Sequence, residues 1–162
     1  MQRVDEMHNN VEKLTQIVQD KIQRLKELYE VTEKIGVSIA SNNLEELKNL
    51  LATKQKIIEE IDKLDADFIP LYNVFKKQNK VESIFDLDGK VTEEISKLKA
   101  LFIETKALLG KIKEKDDKNL QNITAIFEKI ENKLEELSKN KEGYIEYLKY
   151  YTPDSYFLDK KR

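Results

Sequence analysis

Five of the seven tyrosines of this chain, Tyr144, Tyr147, Tyr150, Tyr151 and Tyr156, stand in its last nineteen residues. A phenol ring has a large apolar face and one hydroxyl, and so many at one helix end supply more adhesive surface than a small helical core needs. They predict a surface that holds a partner, and the remaining residue types offer little that could transform a substrate. The sole histidine is His8, near the chain start, so the Glu-x-x-His pairs on two helices that a di-iron carboxylate bundle needs cannot be assembled. Without cysteine there are no disulfides, thiolate nucleophiles or sulfur-ligated metal centres. The neighbouring acids Glu59-Glu60 and Glu135-Glu136 read as solvated faces. The expectation is a protein with no catalytic residue, no cofactor and no metal site, in which His8 has no special role.

The elements that must position those rings are helical. Of 162 residues 37% are charged, and four Gly and two Pro leave few breaks, a composition typical of long amphipathic helices in one domain. The net charge is only −2, and lysines alternate with glutamates along helix faces. No concentrated basic stripe is left to grip phosphates, so nucleic acid is not an expected partner. The start MQRVDEMHNN lacks an apolar signal core, and no window nears the roughly 18 apolar residues of a membrane span, so a cytoplasmic location without membrane insertion is expected.

From Val4 to Ile39 the apolar positions alternate threes and fours, interrupted only by Lys21 and Thr32. Ile17, Ile22, Tyr29 and Val31 widen this stripe, which suits a helix with two neighbours. Ser41, Asn42 and Asn43 supply turn chemistry, and Asn43 followed by Glu46 predicts a capping box. A second helix over 43–77 keeps the same spacing from Leu44 to Phe75, with Lys54 and Asp65 as polar interruptions. Pro70 removes an amide, which predicts a kink or break there. Val81, Ile84, Phe85 and Leu87 are expected to cap the core before a turn at Asp88 and Gly89.

The third segment, 91–151, reads as one helix. Two successive fours between Ile112 and Leu120 are a stutter, which unwinds a supercoil locally without ending the helix; the alternative is a break at Asp116 and Asp117. In an up-down-up bundle Lys54 and Asp116 stand at nearly the same height in facing seams and are expected to pair. The third helix draws level with the top of the first near residue 128, leaving roughly 24 residues, or about 36 Å, with a seam from Ile130 to Tyr151 that has no partner within the chain. Such a stripe marks a partner surface, a self-association surface or a fold-back. Pro153 ends the helix, and 153–162 form a mobile tail whose Tyr156, Phe157 and Leu158 await a groove on a client, on other machinery or on a second copy of the chain.

The segments LEELKNLLATKQKIIEEIDKLD (44–65), KEKDDKNL (113–120) and EGYIEYLKYYTPDSYFLDKKR (142–162) together resemble the flagellar type III export chaperones of the FlgN and FliT kind, especially Firmicute members. The resemblance spans nearly the whole chain. It implies a small cytosolic all-helical protein that binds the C-terminal helices of unassembled hook-associated or cap proteins and delivers them to the export gate or export ATPase complex. It also implies that Tyr144, Tyr147, Tyr151 and Phe157 take part in docking.

The reading is therefore an all-α, elongated antiparallel bundle of three long helices, the third longest and overhanging, acting as an export chaperone. Its partner-binding set is Ile130, Leu134, Leu137, Tyr144, Tyr147, Leu148, Tyr151, Tyr156, Phe157 and Leu158. The competing reading is a coiled-coil tether or assembly rod acting through self-association, with the tyrosines closing a homodimer seam.

Overall fold

A computed structural model describes residues 2–87 and 91–139. All of its long elements are helices: α1 (Gln2–Ala40), α2 (Leu44–Asn79) and α3 (Glu93–Ser138), with one turn of 3-10 helix, η1 (Ile84–Asp86), before α3. The chain divides into two compact units, Met1–Asn119 and Leu120–Arg162.

Local chemistry sets the helix ends of the first unit. Asn42 adopts a left-handed conformation (φ 55°), which lets the Asn43 N–H reach Ser38 O and the Asn42 N–H reach Ile39 O, satisfying carbonyls that α1 would otherwise leave bare. Asn43 then caps α2, its Oδ1 accepting from the Glu46 N–H at 3.1 Å. The return bond differs from that of a capping box. Glu46 Oε2 accepts from the Asn43 side-chain amide at 3.0 Å, because the Asn43 backbone N–H is already committed to Ser38. Pro70 lies inside α2 without ending it. Pro70 and Ala66 are both exposed, so the Ala66 carbonyl that loses its amide partner faces water and the helix runs on. It ends at Lys80, again left-handed (φ 55°), whose N–H turns back to Lys76 O and Lys77 O.

The link to α3 does cap the core. Ser83 and Asp86 form a capping box around η1, Ile84 is fully buried, and its N–H donates to the Tyr72 hydroxyl at 3.0 Å. Thr92 opens α3 by accepting from the Ile95 N–H, with Glu93 and Glu94 in the first turn, where acids favour the helix dipole. The helix is unbroken through Asp116 and Asp117.

Val11, Leu14, Val18, Ile22, Phe75, Ile84, Ile95 and Leu98 form one buried cluster. An aromatic group packs beside it, in which the Phe102 ring lies 5.6, 5.5 and 6.2 Å from those of Phe68, Tyr72 and Phe85 in edge-on arrangements, the geometry ring quadrupoles favour. Leu25, Leu28, Ile35, Ile57 and Ile112 extend the buried face.

The seams also carry their polar interruptions in matched pairs. Lys21 Nζ donates to Asp65 Oδ1 at 2.7 Å, and Lys54 Nζ to Asp116 Oδ1 at 2.5 Å, the pairing expected from their common height. Thr32 is fully buried; its hydroxyl donates to Leu28 O at 2.7 Å, and its carbonyl accepts from Asn119 Nδ2 at 3.0 Å. Lys115 lies 3.4 Å from Glu33 and over the Tyr29 ring. Partial desolvation opposes its charge, but Glu33 and Tyr29 outweigh that and hold the ammonium above the usual lysine range. His8 has a partner: its Nδ1 lies 2.9 and 2.8 Å from the two carboxylate oxygens of Glu94, which ties the second turn of α1 to the first turn of α3.

Candidate partner-binding surface

The expected binding set can be placed only in part. Ile130, Leu134 and Leu137 lie on α3, and their spacing of four and three puts them on one helix side. Ile130 is exposed, whereas Leu134 and Leu137 are half-buried. Tyr144, Tyr147, Leu148, Tyr151, Tyr156, Phe157 and Leu158 lie outside the described residues, as do the expected helix end near Tyr151 and the tail.

The same side of α3 continues toward the N-terminus. Leu120, Ile123, Phe127 and Ile130 follow the seam spacing, and Leu120, Phe127 and Ile130 retain 64%, 43% and 39% of their surface. Apolar exposure on this side therefore extends further toward the N-terminus than the expected set, whose start at Ile130 follows from a bundle top near residue 128. The signal that reveals Leu120 and Phe127 is in the sequence, since both stand in the seam with Ile130. Ile126, half-buried beside that seam, belongs to the same broadened stripe.

The side chains of this surface are aliphatic or aromatic, with Lys129, Lys133, Glu131 and Glu135 beside them on α3. Lys129 with Lys133, and Glu131 with Glu135, are like charges four residues apart, which weaken an isolated helix by about 0.2–0.5 kcal/mol per pair. Among the described residues no group of three His, Cys, Asp or Glu side chains is placed to hold a metal ion. No described helix is long and apolar enough to cross a membrane. In the first unit, a cavity of ≈ 280 Å³ lies among Ile17, Phe68, Phe85, Phe102 and Leu109, with the Lys21–Asp65 ion pair in its wall.

Comparison with known proteins bears on the whole chain. No curated protein and no solved structure matches it. The model of the FlgN protein family matches residues 7–154, a span that takes in α2, α3, nearly all of α1 and most of the tyrosine-rich end. An all-helical chain with an apolar seam on its longest helix, matched over that length, belongs to the FlgN family and so to the flagellar export chaperones.

Proposed function

We propose that this chaperone holds the amphipathic C-terminal helix of an unassembled hook-associated or cap protein and carries it through the cytoplasm to the export gate or export ATPase complex. The observation that carries the reading is the exposed apolar seam of α3 at Leu120, Phe127 and Ile130, continued in sequence by Tyr144, Leu148 and Tyr151. An amphipathic helix laid along it buries its own apolar face, the helix-in-groove mode of recognition. While covered, the client helix is unavailable for premature polymerisation. Release at the gate requires a reversible complex, which suits an apolar contact whose rim of lysines and glutamates stays wet.

Aromatic anchors carry much of the energy of such interfaces. Replacing Tyr144, Leu148 and Tyr151 with serine is expected to weaken client binding by at least about 2 kcal/mol, roughly thirtyfold in Kd. Titration calorimetry with purified hook-associated and cap proteins, run beside circular dichroism, is the test. Unchanged affinity for a client that binds the parent chain, with helicity intact, would remove this surface as the site.

A further inference from the structure

Two seams of the first unit leave a hollow between them. The α3 seam runs Leu98, Phe102, Thr105, Leu109, so a small hydroxyl residue stands where its neighbours are large. The Thr105 hydroxyl turns back to donate to Leu101 O at 2.9 Å. The α1 seam brings Lys21, and both residues line the cavity of ≈ 280 Å³. Apart from Lys21, Thr105, Asp65 and Lys106, its wall is aliphatic or aromatic. An apolar hollow of this kind holds water poorly and takes an apolar guest instead.

Charge in the wall is unbalanced. Lys21 and Lys106 are its cations and Asp65 is its one anion. Asp65 Oδ1 accepts from Lys21 Nζ at 2.7 Å, and the other ammonium protons of Lys21 meet no acceptor among the described residues. Lys106 has no ion pair among them. A guest with one negative charge completes the balance, whereas a cation would face two ammonium groups.

The lining residues that are exposed, Phe85, Lys106 and Leu109, mark the open side. Phe85 and Leu109 keep 50% and 44% of their surface. A polypeptide entering there would lay its N–H and C=O groups on side chains that cannot bond them. A small free molecule brings no such groups. The volume limits its size, since it lies just below the range of about 300–1,000 Å³ typical of drug-sized ligands.

We propose that this cavity binds a small carboxylic acid with a compact aromatic or branched aliphatic body, the body lying among Phe68, Phe85 and Phe102 and the carboxylate toward Lys21 and Lys106. The site shares no residue with the surface proposed to hold the client, so either assignment stands without the other.

Titration of the full chain with phenylpropionate, followed by nitrogen–proton correlation spectra, tests the site. Saturable shifts centred on Ile17, Thr105 and Leu109 are expected, with a Kd of about 1 mM or tighter. The neutral phenylpropanamide should bind about fivefold or more weakly than the acid, and phenylpropylamine more weakly still. Lys106→Gln, at an exposed position, should weaken the acid about threefold or more and leave the amide unchanged. Leu109→Trp, which sets a larger ring across the open side, should remove binding of both; if circular dichroism shows that it unfolds the chain, Lys106→Gln decides alone. No saturable shift with the acid overturns the proposal. So does an amide that binds as well as the acid, or an acid indifferent to Lys106→Gln. Weaker binding of a hook-associated or cap protein by a folded Leu109→Trp would give the cavity to a side chain of that protein and overturn it too.

Discussion

The seams of Met1–Asn119 and the seam of α3 beyond Leu120 share one periodicity, yet they differ in what interrupts them. In the first region the polar interruptions meet partners from another helix: Lys21 with Asp65, Lys54 with Asp116, and the Thr32 carbonyl with Asn119. From Leu120 to Leu137 the seam has no polar interruption, and three of its large side chains are exposed. Alternating threes and fours tell which side of a helix is apolar, whatever comes to cover it. A charge in a seam tells more, because it is tolerated there only where an opposite charge or a hydrogen bond awaits it. Matched interruptions thus mark the levels at which two helices face one another, whereas exposure alone does not separate the regions, since Leu44, Leu51 and Leu109 of the first are exposed too.

The largest expected difference between the regions is in core energetics. Leu98 is fully buried in the principal cluster, so Leu98→Ala should cost about 2–5 kcal/mol through lost burial and a residual cavity. Ile130→Ala, at a position 39% exposed, should cost no more than about 1 kcal/mol. Urea unfolding of both variants measures this directly. Equal losses would mean that Ile130 is packed as core, and the distinction drawn between the seams would fail.

An intermediate effect is expected at the ion pair in the first region. The Lys54 and Asp116 side chains are 20% and 39% exposed, so water screens them and the coupling is far below that of a dry pair. A double-mutant cycle with Lys54→Met and Asp116→Leu should give on the order of 1 kcal/mol, falling as salt is raised. Removing Lys54 alone should cost more than removing both, since it leaves the Asp116 carboxylate facing a half-buried seam. Two single losses that simply add, with no salt dependence, would show that the match sets no register.

Much of this arrangement is legible in the sequence, because it follows from short-range rules. The helix caps, the unbroken stutter and the equal heights of Lys54 and Asp116 need only residue spacing and helix rise. What escapes such reading depends on atoms brought together by tertiary placement. Continuation through Pro70 turns on Ala66 and Pro70 facing water, which no propensity encodes. The return bond of Glu46 goes to the Asn43 side chain because the backbone amide is spent on Ser38. His8 gains Glu94 only once the starts of α1 and α3 are brought side by side. At the candidate surface the spacing reveals the apolar side of α3, while the height estimate selects Ile130 onward and leaves out Leu120 and Phe127, which are exposed as well. Periodicity cannot say where coverage ends.

The smallest expected effects come from two glycines, and there the sign carries the information. A Cβ on Gly36 would lie 2.8 Å from Asn119 Oδ1, while one on Gly110 would meet nothing within 4 Å. Alanine at either position gains up to about 1 kcal/mol in helix propensity. At Gly110 that gain is unopposed, so Gly110→Ala should raise the unfolding temperature by a few degrees. At Gly36 the methyl must displace an amide whose Nδ2 is bound to Thr32 O at 3.0 Å, and loss of that bond costs about 0.5–1.5 kcal/mol. The clash and the lost bond together should outweigh propensity, so Gly36→Ala should lower the unfolding temperature. Thermal melts of both variants beside the parent chain decide it. A stabilising Gly36→Ala would mean that Asn119 moves aside freely and that its contact with Thr32 does little to hold α3 against α1.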